Sequence, residues 1–208
     1  MERPNQSKAL NLLPDILKEC QQDSAGMYEV GEAHLGLLEQ WLHEEQLVIS
    51  EPDAVRIKDG IALAQQLESA GTLEDRLSSF EFLSESVCKR MIGDSPVVNI
   101  WLAKPLFADP DKILGAESFS SWMGRGDYGQ GEVAIRDRAG KRSSYEQIVD
   151  YATRESRLPS LGADGGLNLI IDNERMFFFS SNSHRAAAAK LRNEPLGFRR
   201  LSVFQTQP

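Results

Sequence analysis

Between Phe179 and Arg192 the chain reads SSNSHRAAAAKL. Ser180, Ser181, Asn182 and Ser183 are small polar residues suited to a tight turn and a helix cap. His184 and Arg185 follow, then the helix-forming run Ala186–Leu191. The apolar run Met176–Phe179 in front of them has the length and composition of a buried strand. Strand, polar loop and helix in that order aim backbone N–H groups and the positive end of a helix at one point, which suits a phosphate. Ser181, Asn182, Ser183 and Arg185 are therefore the candidate nucleotide-binding residues. Arg185 adds a bidentate donor for the same anion. An imidazole at a helix start can ligate phosphate or act as general acid or base, so His184 and Arg185 are the candidate catalytic pair. The plainer alternative for His184 is a loop imidazole bonded to backbone.

Lys190, Arg192, Arg199 and Arg200 form a small basic group around this helix and the strand expected after it, with Phe198 among them. Basic residues interleaved with an aromatic suit nucleic-acid contact, and this group is the candidate DNA-binding set. An ordinary exposed helix carries the same pattern. A metal-dependent nuclease needs carboxylates to hold Mg²⁺ near the phosphate. Asp172 and Glu174 are the candidates, with Asp164 also near in sequence. Asp172–Asn173–Glu174 is more simply a hairpin turn. Gly124, Gly126 and Gly129 match G-x-G-x-x-G, but a further glycine and a strand pattern follow where a helix is needed, which favours a hairpin or lid loop. His34 and His43 lie on an acidic helical segment and read as surface residues. Cys20 and Cys88 are far apart and read as free thiols, and no Cys/His cluster has zinc spacing.

The elements that must position these residues divide the chain. Apolar residues recur at helical spacing over 7–20, Gly31–Gln46, Asp53–Ala70 and Thr72–Met91. Leu35, Leu38, Trp41 and Leu42 form one stripe. Ser50 or Asp53 suits the cap of the third segment, and Thr72 with Asp75 resembles a capping box. After Pro96 the pattern turns to strands: Val97–Ala103, bounded by Pro105, then Glu132–Asp137, Leu167–Asp172, Met176–Phe179 and Arg200–Phe204. Asn173–Arg175 joins two of them as a hairpin turn. Helices are expected over Glu117–Met123, Ser143–Ser156 and Ala186–Asn193. The fold class is α+β, a mostly helical front half (1–95) followed by a sheet-containing rear half (96–208).

Charge divides at the same place. The 208 residues carry a net −8. Residues 1–95 hold 8 Lys/Arg against 18 Asp/Glu, and the remainder 15 against 13. The acidic half argues against nucleic acid over the whole surface, while the rear half leaves room for a local phosphate-binding face. The simplest account of the acidic half is a set of solvated helix faces. No apolar run reaches the roughly 20 residues of a membrane span, and the first residues lack a signal-peptide pattern. A cytoplasmic location without membrane insertion is expected.

Ser181–Leu191 resembles the phosphate-binding box of the ParB/sulfiredoxin superfamily. Its ParB form reads approximately S-G-E-R-R-x-x-A-A-K-L. Arg185 matches the second arginine, and Ala188, Ala189, Lys190 and Leu191 match the helix. His184 stands at the first arginine, where sulfiredoxins also have histidine. Asn182 replaces the family glycine, and Ser183 stands where sulfiredoxins carry the reactive cysteine, which argues against sulfinic-acid repair. The ParB glutamate, the second ParB nucleotide motif and a following helix-turn-helix are absent. The resemblance is thus to small stand-alone plasmid-borne members, among them fertility-inhibition proteins that block conjugative transfer. It implies a ParB/sulfiredoxin-like mixed sheet with helices over the rear half and cytoplasmic action in a bacterium. It also implies DNA as partner, ATP or another nucleotide with Mg²⁺ as cofactors, and metal-dependent nuclease and ATPase activity. A rival expectation is a non-catalytic adaptor whose acidic helices bind a coupling or secretion-system protein.

Overall fold

The computed structural model describes residues 13–84, 96–118, 144–161, 166–172 and 175–205. Eight strands form one mixed sheet: β1 (Gln21–Gln22), β2 (Met27–Val30), β3 (Glu81–Ser84), β4 (Val98–Ala108), β5 (Ile113–Ser118), β6 (Leu167–Ile171), β7 (Met176–Ser180) and β8 (Leu196–Gln205). Their order across the sheet is β1-β2-β4-β8-β6-β7-β5-β3. The helices are α1 (Glu32–Glu44), α2 (Ala54–Ser69), the single turn α3 (Leu73–Arg76), α4 (Ser144–Thr153) and α5 (Ser183–Arg192). Residues 13–17 are also helical. The protein is thus mixed α and β.

The strongly periodic segments form as their sequence dictates. Leu35, Leu38, Trp41 and Leu42 are the buried stripe of α1. Asp53 caps α2, its carboxylate accepting the Arg56 N–H at 2.8 Å. β6 and β7 pair antiparallel with Ile171 opposite Met176, and Asp172 and Arg175 exchange backbone hydrogen bonds at the end of the ladder. Side chains alternate across each strand. Leu167, Leu169, Ile171, Phe178, Leu201 and Val203 join the main core beneath the helices. Ile170, Phe177, Phe179 and Phe204 form a separate buried cluster with Leu114 on the opposite face.

Four expectations change. The apolar repeat over Thr72–Met91 is not one helix: α3 ends at Arg76, and Glu81–Ser84 pairs in parallel with β5 as an edge strand. Leu77 and Phe80 satisfy a helical period and are also placed to pack in the turn before a strand. The front half supplies β1 and β2 at one sheet edge and β3 at the other, so one sheet joins residues from both halves. Pro105 does not bound β4. The strand runs through it, because the β4–β8 register slips between Trp101 and Leu106, and a proline sits readily in such an irregularity. Glu117 and Ser118 end β5 rather than starting a helix. The Gly124–Gly129 loop, the Glu132–Asp137 strand, Cys88, Asp164 and Glu174 lie outside the described residues.

Candidate phosphate site

The strand–loop–helix unit forms as β7, residues 181–182 and α5. Asn182 is the cap, in extended backbone with φ −118°, and its side-chain oxygen accepts the Arg185 N–H at 3.3 Å. Its carbonyl accepts the Ala186 N–H at 3.2 Å. This backbone does not need the family glycine, since no left-handed conformation is involved. Ser180 Oγ accepts the Asn182 N–H at 2.9 Å and donates to the Asn182 carbonyl, which fixes the turn. The Ser181 hydroxyl is held by Gly166, accepting its N–H at 2.9 Å and donating to its carbonyl at 3.1 Å. Ser183 is fully buried at the first helical position. Three of the expected ligand side chains therefore serve the loop itself or face inward. What the loop can present to an anion is its helix end, His184 and Arg185.

Those two side chains are half-buried. Arg185 Nη1 donates to the Ser160 carbonyl at 3.0 Å, which anchors the guanidinium toward the segment before β6. Burial, and then the Arg185 charge, push the His184 imidazole below its ordinary range. His184 is accordingly neutral near pH 7, with one ring nitrogen able to accept a proton. An arriving anion would offset the Arg185 charge.

The basic group does not assemble as one surface. Arg192 is buried, so it is removed from the DNA-binding set. Its Nη1 donates to the carbonyls of Tyr151 (3.2 Å) and Ser156 (3.0 Å), and its Nη2 lies 2.6 Å from Glu194 Oε2. Glu194 Oε1 accepts the Leu158 N–H at 3.0 Å. Burial works against both charges, raising the Glu194 carboxyl and lowering the guanidinium, and the pair and its backbone partners oppose that effect. Arg192 thereby ties the end of α5 to the chain leaving α4. Lys190 is committed to Asp111 Oδ1 at 3.0 Å and is mostly covered. Arg199 Nη1 donates to the Ala103 carbonyl at 2.7 Å, across the β4 irregularity. Arg200 is partly exposed and lies cross-strand from Trp101.

Asp172 does not fit as a metal ligand for this loop. It sits at the hairpin turn beside Arg175, at the opposite end of β7 from Asn182. Five strand residues separate the two ends, about 16 Å at 3.3 Å per residue. Among the described residues, no three His, Cys, Asp or Glu side chains converge as a metal site. No described helix is long and apolar enough to cross a membrane.

Sequence reasoning missed three participants. The Ser160 carbonyl, Gly166 and Trp101 reach the region only through tertiary pairing, and no local pattern marks them. Comparison of the chain with protein-family models, with curated proteins and with solved structures finds no match.

Proposed function

We propose that the β7–α5 loop binds a phosphate group of DNA or of a nucleotide such as ATP. We further propose that the protein acts, like the plasmid fertility-inhibition proteins it resembles, against conjugative DNA transfer. The observation that carries this reading is the pairing of His184 and Arg185 on the first turn of an Asn182-capped helix. The helix end and the guanidinium supply positive charge, and neutral His184 supplies a proton acceptor. Asp172 is too far away to hold Mg²⁺ here, and a nucleotide would bring Mg²⁺ on its own phosphates. The test is ATP binding, and nicking of supercoiled plasmid with Mg²⁺ and ATP, by wild type and Arg185→Ala. Loss of a bidentate charged contact is expected to weaken ATP binding about tenfold or more and to remove any nicking with it. Equal binding by both proteins would refute the site.

A second reading rests on a different surface. A groove of about 300 Å³ between residues 13–17 and α1 is lined by Asp15, Ile16, Leu37, Gln40, Trp41 and Glu44. Leu37 is 54% exposed at its mouth. An apolar floor with acidic rims suits a basic amphipathic segment, which is what the adaptor function requires. Leu37→Asp tests it: transfer inhibition is lost while ATP binding is retained.

A further inference from the structure

The strand register lines up one transverse row across the centre of the sheet. Ser181 meets Gly166 through hydrogen bonds, its backbone N–H donating to the Gly166 carbonyl at 3.2 Å. Leu167 pairs with Leu201 in the parallel β6–β8 ladder, which sets Gly166 beside Arg200. A Cβ at Gly166 would lie 3.0 Å from Arg200 Cβ and 3.1 Å from its Cγ, so the absent side chain is what lets the arginine stem lie there. Arg200 pairs with Trp101 on β4, and Trp101 with Glu29 on β2. Directly paired residues share a sheet face. This is the face away from the helices, because the neighbouring Leu201, Ile100 and Leu102 belong to the core on the helical side.

The next row on the same face is Asn168, Ser202, Asn99 and Met27. Ser202 Oγ donates to Asn99 Oδ1 at 2.7 Å. Phe179, the partner of Asn168 on β7, ends that row, and beyond it lie Ile170, Phe177 and Phe204, which form the buried cluster with Phe179. The sheet face thus grades from an apolar patch, through an amide and hydroxyl row, to a tryptophan flanked by an arginine. Trp101, Arg200, Asn99 and Asn168 all keep part of their surface in solvent. The row ends at Ser181, one residue before the cap of the proposed phosphate site.

We infer that this row is a base-stacking surface for single-stranded nucleic acid, with Trp101 as the platform and Arg200 as its backbone or stacking partner. The inference rests on the proposed phosphate reading for the direction of the strand, which runs from Trp101 over Gly166 toward Arg185. Stacking on an aromatic face needs an unpaired base, so a duplex does not qualify. The amides of Asn99 and Asn168 offer donors and acceptors to base edges. Glu29 at the far end repels phosphate and confines the strand to the Trp101–Ser181 side.

The test is fluorescence anisotropy of a labelled dT20 strand with the full chain, competed by ATP and by a blunt 20-base-pair duplex, at one fixed salt concentration. Trp101→Leu is expected to weaken dT20 binding about tenfold, Trp101→Phe less than threefold, and Arg200→Ala about fivefold. Glu29→Gln should tighten it about twofold. Circular dichroism melting checks that each variant folds, and Arg200→Ala and Glu29→Gln, both at partly or fully exposed positions, carry the test if Trp101→Leu does not. Loss on Arg185→Ala with no effect at Trp101, Arg200 and Glu29 would leave the phosphate loop standing and overturn this inference. Loss at Trp101 and Arg200 with no effect of Arg185→Ala would support the row and refute the loop. Absence of dT20 binding by wild type, duplex binding as tight as dT20, or a Trp101 effect on ATP alone would each overturn it.

Discussion

At the scale of single residues, the two buried ionisable centres have opposite jobs. The Arg192–Glu194 pair is structural: both groups are enclosed, and each also meets backbone. Removing one partner strands the other charge, so Glu194→Ala is expected to cost about 3 kcal/mol or more in urea unfolding. An Arg192→Met, Glu194→Leu double variant should recover most of it, since neither charge then remains buried. His184 is the opposite case, a group held neutral. Its folded value lies below that of the unfolded chain. Its contribution to stability is therefore present above the unfolded imidazole value, about 6.5, and is lost as pH falls through the depressed folded value. His184→Gln should flatten the unfolding free energy on the acid side of pH 6.5, measured from pH 7.5 down to 5. Phosphate binding reverses the sense, because an anion favours the imidazolium. ATP affinity of the wild type should consequently rise over the range in which stability falls.

At the scale of elements, α5 is the hub, and its run of four buried alanines explains how. Ala186–Ala189 leave room for α5 to lie close to the sheet and to neighbouring helices. One tight approach is to α2 at Gly60, where a Cβ would stand 2.5 Å from the Arg192 carbonyl oxygen. Gly60→Ala gains helix propensity worth about 1 kcal/mol but must push backbone aside, which costs about 1–3 kcal/mol. A net loss of stability is expected, with a lower thermal midpoint, and a gain would mean that the two helices separate freely. This hub was legible in sequence, because the small polar cap residues around Asn182 and the alanine run are local signals. So were α1, α2 and the β6–β7 hairpin, each fixed by its own periodicity or turn. Glu81–Ser84 and Met27–Val30 were not legible, because four-residue edge strands take their identity from partners far away in the chain. The passage of β4 through Pro105 was hidden for the same reason, since only the β8 register accommodates it. At the candidate site, His184 and Arg185 could be read from local order. The burial of Arg192, the capture of Lys190 by Asp111 and the arrival of Trp101 beside Arg200 depend on tertiary pairing and left no local trace.

At the scale of the whole molecule, the sheet joins both halves of the chain, and this decides how charge can act. Its edges are β1–β2 and β3, all from the acidic front half, while its centre is β8, β6 and β7 from the rear. The rear strands therefore present positive charge within a frame of negative charge. A fragment of residues 96–208 would lack both edges as well as α1 and α2, so function cannot be apportioned by cutting at that point. Among the described residues, a nucleic-acid strand meets few phosphate contacts. Lys190 and Arg192 are occupied internally, and Arg199 is tied to the Ala103 carbonyl. Arg185, anchored on the Ser160 carbonyl, and Arg200 are the arginines that the described residues place beside the proposed path. Each phosphate neutralised on a single strand contributes about −0.7 to the slope of log affinity against log salt. Two contacts give a slope near −1.4, and Arg200→Ala should halve it. The net charge of −8 weakens binding at low salt and makes the dependence shallower still. A slope of −4 or steeper for dT20 would mean that the strand meets a broad basic surface, beyond the two arginines that the described residues place beside the path.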